Sequence, residues 1–328
     1  MGHTIVGSLL PVVVTLLLGF IAARRHDFSK QHAAILNRLA LRYALPLMLL
    51  VGTVKMSRAE LREARPLLIA LFVAIVGLYA IVFLLSRFAF AVSSSTSALV
   101  ALTAATPAVP FMGPAILGYL FGRSSAIPIA TASLVINLTV VPATVLFLTM
   151  DPQQEGSERK NPATDRSEDH MARASGLSTV LGKLGETVRE PMVWAPVVGL
   201  AIVLTGWRIP ALILQALSLL GHATGGVSLF AAGIVLASVR ISVSWSVVLL
   251  VLLKNVVQPA LVLVGLRVVG IGNPLRGEAV LTTAIPAMPI VIMLALQHRV
   301  AQTVTAAALF FSVIGSVVTL AAFIALTN

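Results

Sequence analysis

Long apolar runs recur along the whole chain and decide the solvent in which it folds. The runs cover approximately residues 4–23, 33–54, 66–88, 96–122, 126–149, 191–206, 211–237, 245–269, 277–297 and 303–326. Most are close to the roughly 20 residues that an apolar helix needs to cross a bilayer. Because open strands cannot satisfy their backbone groups in lipid, all ten runs are predicted to be helices. The sequence therefore predicts an all-α membrane protein with ten transmembrane helices.

The composition excludes several other classes of protein. Hydrophobic residues make up 58% of the chain, charged residues 11%, and the mean hydropathy is +0.99, which a soluble domain could not hide. The chain has no cysteine, which excludes disulfides, thiolate metal sites and cysteine nucleophiles. The net charge of +11 comes largely from Lys and Arg in short connections between the runs. Such residues anchor membrane topology, so nucleic acid is not an expected partner, whereas the lipid bilayer is.

A polar stretch from Asp151 to Ala174 divides the chain. Its composition predicts a solvated linker. We therefore expect a first five-helix repeat at residues 1–150, a linker at 151–176 and a second five-helix repeat at 177–328. Apolar residues at helical spacing between Leu177 and Val188 also predict a short interfacial helix before the sixth run.

The connections differ in their content of Lys and Arg, and this difference predicts the orientation. If the N-terminus lies outside, the inside connections, including the one around Arg24 and Lys30 and the central linker, hold more basic residues than the outside ones. Both termini are then outside and the linker is cytoplasmic. The cluster between Lys55 and Arg65 favours the opposite orientation.

Two similar segments suggest an internal duplication. TAATPAVP at 103–110 matches TTAIPAMP at 282–289, and Pro107 and Pro286 are 179 residues apart. The same offset superimposes the first five runs on the last five. Because five is an odd number, the second half must enter the membrane upside down, and inverted repeats are typical of secondary transporters. The alternative is a duplication that serves folding alone.

The proline pairs within these segments predict two broken helices. Proline lacks the N–H and pushes against the carbonyl four residues earlier. An unpaired carbonyl is costly in hydrocarbon, so such breaks persist only against protein or a wet cavity. Breaks at matching depth in inverted repeats should meet near the membrane centre. Freed carbonyls there can receive cations or donors, and the following helix N-termini favour anions.

Several further segments resemble one known family. They are LNRLALRYALPLMLL at 36–50, FMGPAILGYLFG at 111–122, GGVSLFAAGIVLA at 225–237 and LLKNVVQPALVL at 252–263. In order and spacing, the chain resembles a bacterial member of the auxin efflux carrier family, which shares its architecture with bile acid–sodium symporters. The resemblance implies crossed, broken fourth and ninth helices, a scaffold and a transport domain, an organic-anion substrate, a bacterial inner-membrane location and a homodimer. The sequence departs from the family where an asparagine is frequent, at Ala108, and where a polar residue is frequent, at Ile290.

The predicted site combines these segments with polar residues inside the spans. The expected substrate-binding residues are Thr106, Pro107, Ala108, Val109, Pro110, Asn137, Lys254, Ile285, Pro286, Ala287, Met288, Pro289 and Ile290. Lys254 either supplies positive charge to an anion or freed carbonyls, or only stabilises helix packing. Asn137 either reaches the fourth helix or joins neighbouring helices. His222 is a candidate for proton coupling, and its alternative is a packing role.

The absence of other motifs narrows the function. No Asp or Glu lies deep in a run, so sodium coupling and a metal site are not favoured. The sequence lacks G-x-x-x-x-G-K-[ST], H-E-x-x-H and G-x-S-x-G, so neither ATP hydrolysis nor a hydrolase activity is expected, and no cofactor is predicted. The leading hypothesis is a secondary carrier of a small organic anion that uses alternating access. The alternative is a sensor with a transporter fold that binds a solute without moving it.

Overall fold

The computed structural model describes residues 2–55, 58–150, 191–207, 209–238 and 243–327, and these residues are almost entirely helical. The central linker and the expected interfacial helix lie outside the described residues. The main helices are α1 Gly2–Arg24, α2 Lys30–Val54, α3 Arg65–Ala89, α4 Ser94–Ala105, α5 Val109–Phe121, α6 Ile127–Met150, α7 Pro191–Thr205, α8 Ala211–Ser238, α9 Trp245–Val268, α10 Leu275–Ala284, α11 Ile290–Gln297 and α12 Gln302–Thr327.

Six of these helices are long and apolar enough to cross a membrane: α2, α3, α6, α8, α9 and α12. Two of the predicted spans are divided instead. The run at 96–122 contains α4 and α5, and the run at 277–297 contains α10 and α11. The division falls at the proline segments, each of which carries two prolines three residues apart that interrupt the hydrogen-bond ladder. The described part of the chain is thus all-helical, and the protein is a multi-pass membrane protein.

Three long helices continue through a proline by means of a wide π turn. The π turns lie at Ala40–Ala44 in α2, Ile136–Val140 in α6 and Leu253–Val257 in α9. Pro46, Pro142 and Pro259 follow two residues after them. The wider turn relieves the clash between the proline ring and the preceding carbonyl, so the helix is not broken.

The helices pack in two groups. Helices α1, α2, α7 and α8 form the four-helix group, in which α1 lies closely along α8. The contact is close because Gly19 faces the backbone at Phe230 and Gly233 faces the backbone at Leu16. A Cβ at Gly233 would lie 2.1 Å from the Leu16 carbonyl oxygen. Helices α3 to α6 and α9 to α12 form the second group, the crossover group.

The ends of α2 identify the two membrane faces. Lys30 begins α2 at one face, the Lys30 face, and Lys55 follows α2 at the other, the Lys55 face. Arg58 lies just beyond α2, and its guanidinium donates to the carbonyls of Val203 (3.0 Å) and Leu204 at the end of α7. The ends of α2 and α7 therefore share the Lys55 face. Many large apolar side chains on the outer surfaces, such as Ile69 and Leu219, are exposed, as expected for helices in lipid.

Candidate functional site

The two proline segments meet and pair with each other at the centre of the crossover group. Pro107 and Ala287 form an antiparallel bridge. The Ala108 N–H donates to the Pro286 carbonyl (2.8 Å), and the Met288 N–H donates to the Thr106 carbonyl (3.1 Å). Two non-helical stretches thus supply each other with backbone hydrogen bonds. Buried N–H and carbonyl groups need such partners, because no water reaches them. We call residues 106–110 and 285–289 the crossover.

Side chains from α9 bind the carbonyls that the broken helices leave open. The Lys254 ammonium donates to the Thr283 carbonyl (2.7 Å) and to Gln258 Oε1 (2.8 Å). Gln258 Nε2 in turn donates to the Ala105 carbonyl (2.8 Å). Thr283 and Ala105 lie at the C-terminal ends of α10 and α4, and each such end carries roughly half a negative charge. The buried ammonium therefore lies where two negative helix ends converge.

A second polar contact holds the other strand of the crossover. The Ala287 N–H donates to Ser312 Oγ (3.0 Å), and the Ser312 hydroxyl donates to Asn255 Oδ1 (2.7 Å). Asn255 Nδ2 also donates to the Ser312 carbonyl (2.7 Å). Both side chains are buried. The π turn in α9 places Lys254 and Asn255 side by side, and together they connect α9, α12 and the crossover.

A cavity of about 640 Å³ lies between the four-helix group and the crossover group. It is lined by Pro11, Thr15, Met48, Leu49, Val51, Gly52, Thr53, Lys55, Pro110, Phe111, Ile127, Ile129, Ala130, Ser133, Asn137, Ser218, Gly221, His222, Gly225, Gly226 and Leu229. Its wall is mainly apolar, and the charged or titratable side chains in this lining are Lys55 and His222. Asn137 is buried, and its Oδ1 accepts no hydrogen bond. An unsatisfied amide oxygen on a cavity wall is available to a donor on a ligand or to water.

The cavity lies between the crossover and the Lys55 face. Its lining comes from the N-terminal parts of α1, α6 and α8 and the C-terminal part of α2, all of which lie between the crossover and that face. At its inner end are Pro110 and Phe111, in the first turn of α5. At its mouth is Lys55, which is exposed. The cavity therefore reaches from one membrane face to the crossover and ends there.

The structure brings only part of the predicted site to this cavity. Pro110, Asn137 and His222 line it. Lys254 instead contacts the crossover carbonyls from within the protein. The remaining predicted residues are buried in or beside the crossover and are not among the lining residues: Thr106, Pro107, Ala108, Val109, Ile285, Pro286, Ala287, Met288, Pro289 and Ile290.

Sequence reasoning missed several residues that the structure places at these two sites. The sequence marks Lys55 only as a basic residue in a connection, whereas the structure places it at the cavity mouth. Ser312 binds the crossover, and Ser133, at the 179-residue offset from it, lines the cavity. That offset could have identified both serines.

Comparison with known proteins agrees with this architecture. A family model described as "Membrane transport protein" matches residues 4–324. The "Uncharacterized transporter YfdV" of Escherichia coli (strain K12) is 31% identical over 320 residues, which cover 96% of this chain and 95% of that protein. The protein of the same name from Shigella flexneri gives the same identity and coverage.

Proposed function

This chain belongs to the Membrane transport protein family, the auxin efflux carrier family that its motifs resemble, and we propose that it carries a small organic anion by alternating access. One observation carries the proposal: a cavity that reaches from the Lys55 face to the crossover and ends there. A carrier needs a site near the membrane centre that is open to one side at a time, and broken helices typically form that site.

The charges at the cavity favour an anion. Its lining includes the Lys55 ammonium and the His222 imidazole, and none of its lining residues is an Asp or Glu. The positive N-terminal end of α5 also lies at the cavity, and Asn137 Oδ1 there can accept a hydrogen bond from a donor elsewhere on the solute. The apolar remainder of the wall, including Phe111 and Met48, suits a solute with an apolar body and a single acidic group. His222 remains our candidate for proton coupling.

The surroundings of Lys254 argue against sodium coupling. A free cation would be attracted to the converging C-terminal ends of α4 and α10, but the Lys254 ammonium already lies there. A sodium cage would normally include a carboxylate. The chain thus places its own amine at the position that a coupling cation would take, and we propose that transport proceeds without sodium.

The topology completes the proposal. We propose two inverted five-helix repeats at 1–150 and 177–328, joined by a cytoplasmic linker at 151–176, in a bacterial inner membrane. Both termini are then periplasmic, and the cavity faces the periplasm. The separate packing of the four-helix group and the crossover group supports a scaffold and a moving transport domain.

Reconstituted liposomes test the carrier against the sensor. Purified protein is offered labelled dicarboxylates, aromatic monocarboxylates and bile-acid-like solutes under imposed proton, sodium or voltage gradients. We expect uptake of at least one anion, unchanged when sodium is replaced by choline. Pro107→Ala and Pro286→Ala should reduce uptake while the protein still inserts in the membrane. Binding of a solute without uptake under any gradient would contradict the carrier and favour the sensor.

A further inference from the structure

One hydrogen bond joins the four-helix group to the crossover group on the side of the membrane away from the cavity. Asn37 Nδ2 on α2 donates to the Met293 carbonyl on α11 (2.6 Å). Asn37 lies two turns into α2 from the Lys30 face, and α11 runs from the crossover to the same face. Both residues are buried, with Asn37 only 2% exposed. The bond therefore joins the two groups in the part of the protein between the crossover and the Lys30 face.

An apolar cluster closes the same space nearer to the Lys30 face. Its buried members are Ala33 on α2 with Ala231, Ile234 and Val235 on α8; Leu296 on α11 packs against them, as do Phe28, Leu36 and Phe230. The rings of Phe28 and Phe230 meet edge to face, with their centroids 5.2 Å apart. Leu296 is the only contribution of α11 to this cluster among the described residues. The cluster and the Asn37–Met293 bond together make up what we call the Lys30-face seal.

The seal and the cavity use opposite ends of the same two helices. The C-terminal part of α2 and the N-terminal part of α8 line the cavity, whereas the other ends of these helices form the seal. The structure is thus open at one face and closed at the other. A carrier that exposes its site to the second face must separate α11 from α2 and α8 there.

The amide of Asn37 suits a hydrogen bond that opens during function better than it suits permanent packing. Its Oδ1 is buried and accepts no hydrogen bond. A permanent packing position would favour an apolar side chain, because a half-satisfied buried amide is unfavourable. Once the seal opens, water can reach both ends of the amide and the Met293 carbonyl. In the open state an amide is hydrated favourably, whereas an apolar side chain would be exposed to water. In the closed state the amide keeps one hydrogen bond between the two helix groups.

We propose that Asn37 is the positioning residue of a gate at the Lys30 face, and that its bond to Met293 breaks and reforms once in each transport cycle. This inference rests on the proposed function, because it assigns the contact that alternating access must break. Asn37 touches neither the cavity nor the crossover pairing, so its role is to set the balance between the two open states.

The natural absence of cysteine allows this gate to be tested by labelling. Single cysteines are introduced as Leu296→Cys in the seal and, separately, as Ser218→Cys in the cavity. A membrane-impermeant maleimide is then applied to each face of sealed vesicles. We expect Asn37→Ala to speed labelling at position 296 by about fivefold to tenfold and to slow labelling at 218, since the lost bond favoured the closed seal.

Ser316→Ala is the matched control, because Ser316 is also buried but its hydroxyl bonds to Val313 within α12. It should leave both labelling rates unchanged. A general loosening of the fold would raise both rates together, so opposite changes at 296 and 218 distinguish a gate from a structural role. Unchanged rates in a folded Asn37→Ala protein, or rates that rise together, would overturn the proposal.

A cross-link tests the gate without removing Asn37. Cysteines at Ala33 and Leu296, joined by a short bifunctional reagent, should stop uptake, whereas the same protein before cross-linking should transport. Full uptake after cross-linking would refute the gate and leave the carrier intact. If no solute is transported at all, the carrier proposal fails, while the opposite changes in labelling still decide whether the contact opens.

Discussion

Replacing Lys254 by methionine is the most direct test of the bonds that hold the crossover. Methionine fills nearly the same volume but removes the ammonium and both of its hydrogen bonds. Those bonds measure 2.7 Å to the Thr283 carbonyl and 2.8 Å to Gln258 Oε1. After the change, this carbonyl and this amide oxygen are buried without a donor.

The expected magnitude follows from two opposing effects. Hydrogen bonds from a charged donor contribute about 1.5–3 kcal/mol each, so the two contacts together contribute about 3–6 kcal/mol. Removal of a buried charge recovers part of a desolvation penalty of several kcal/mol. Because the side chain volume is nearly conserved, no large cavity forms. We therefore expect Lys254→Met to lower the free energy of unfolding by about 2–3 kcal/mol.

The assay is a titration from mild detergent into sodium dodecyl sulfate, followed by the fluorescence of the three tryptophans. Arg267→Met is the matched control, since it removes one positive charge from the same helix at an exposed position with a single 3.3 Å contact to Leu326. It should change the free energy of unfolding by less than about 0.5 kcal/mol. Equal stability of the two variants would refute the idea that the ammonium stabilises the crossover.

Three further predictions concern the cavity, the packing of the helices and pH. Asn137→Leu should weaken solute binding by about tenfold with no loss of stability, as measured by the solute concentration for half-maximal uptake, because the Oδ1 of Asn137 has no donor to lose within the protein. Gly233→Ala should lower the free energy of unfolding by at least about 2 kcal/mol, because its Cβ would collide with the Leu16 carbonyl. At Gly226 an added Cβ would meet no atom within 4 Å, so Gly226→Ala should leave the free energy of unfolding unchanged. Burial lowers the pKa of His298, which lies in the connection between α11 and α12. The stability from its neutral form is therefore present above the unfolded value of about 6.5 and is lost as the pH falls below it, and His298→Gln should remove this part of the acid sensitivity.

The sequence predicted the helices and their breaks well because both depend on local physics. A run of about 20 apolar residues must be helical in lipid, and two prolines three residues apart interrupt the hydrogen-bond ladder of a helix. The repeat of TPAVP as IPAMP also indicated that the two breaks would lie at matching depths. In the structure they pair directly, through the Ala108–Pro286 and Met288–Thr106 hydrogen bonds.

The direction of individual side chains could not be predicted in the same way. For Lys254 the sequence left three roles open: a charge for an anion, a partner for the freed carbonyls, or helix packing. In the structure its ammonium donates to the Thr283 carbonyl, which is the second of these. The residues that line the cavity could not be predicted from the sequence either. The lining depends on how α2 and α8 cross α6, which brings Lys55, Asn137 and His222 to one space although they are distant in sequence.

The two halves of the chain use corresponding positions differently, and this difference explains how one crossover can be both rigid and adjacent to a cavity. At the 179-residue offset, Lys254, Asn255 and Gln258 correspond to Ile75, Val76 and Tyr79. The first half therefore has no cation or amide at the positions from which α9 holds the crossover. It instead places Asn137 and Ser133 on the cavity wall, where the second half has Ser316 and Ser312 buried in the protein. The side chains that hydrogen-bond to the crossover therefore come from the second half, and the polar side chains on the cavity wall come from the first half. A solute in the cavity can reach the first turn of α5 without displacing the hydrogen bonds that hold the crossover.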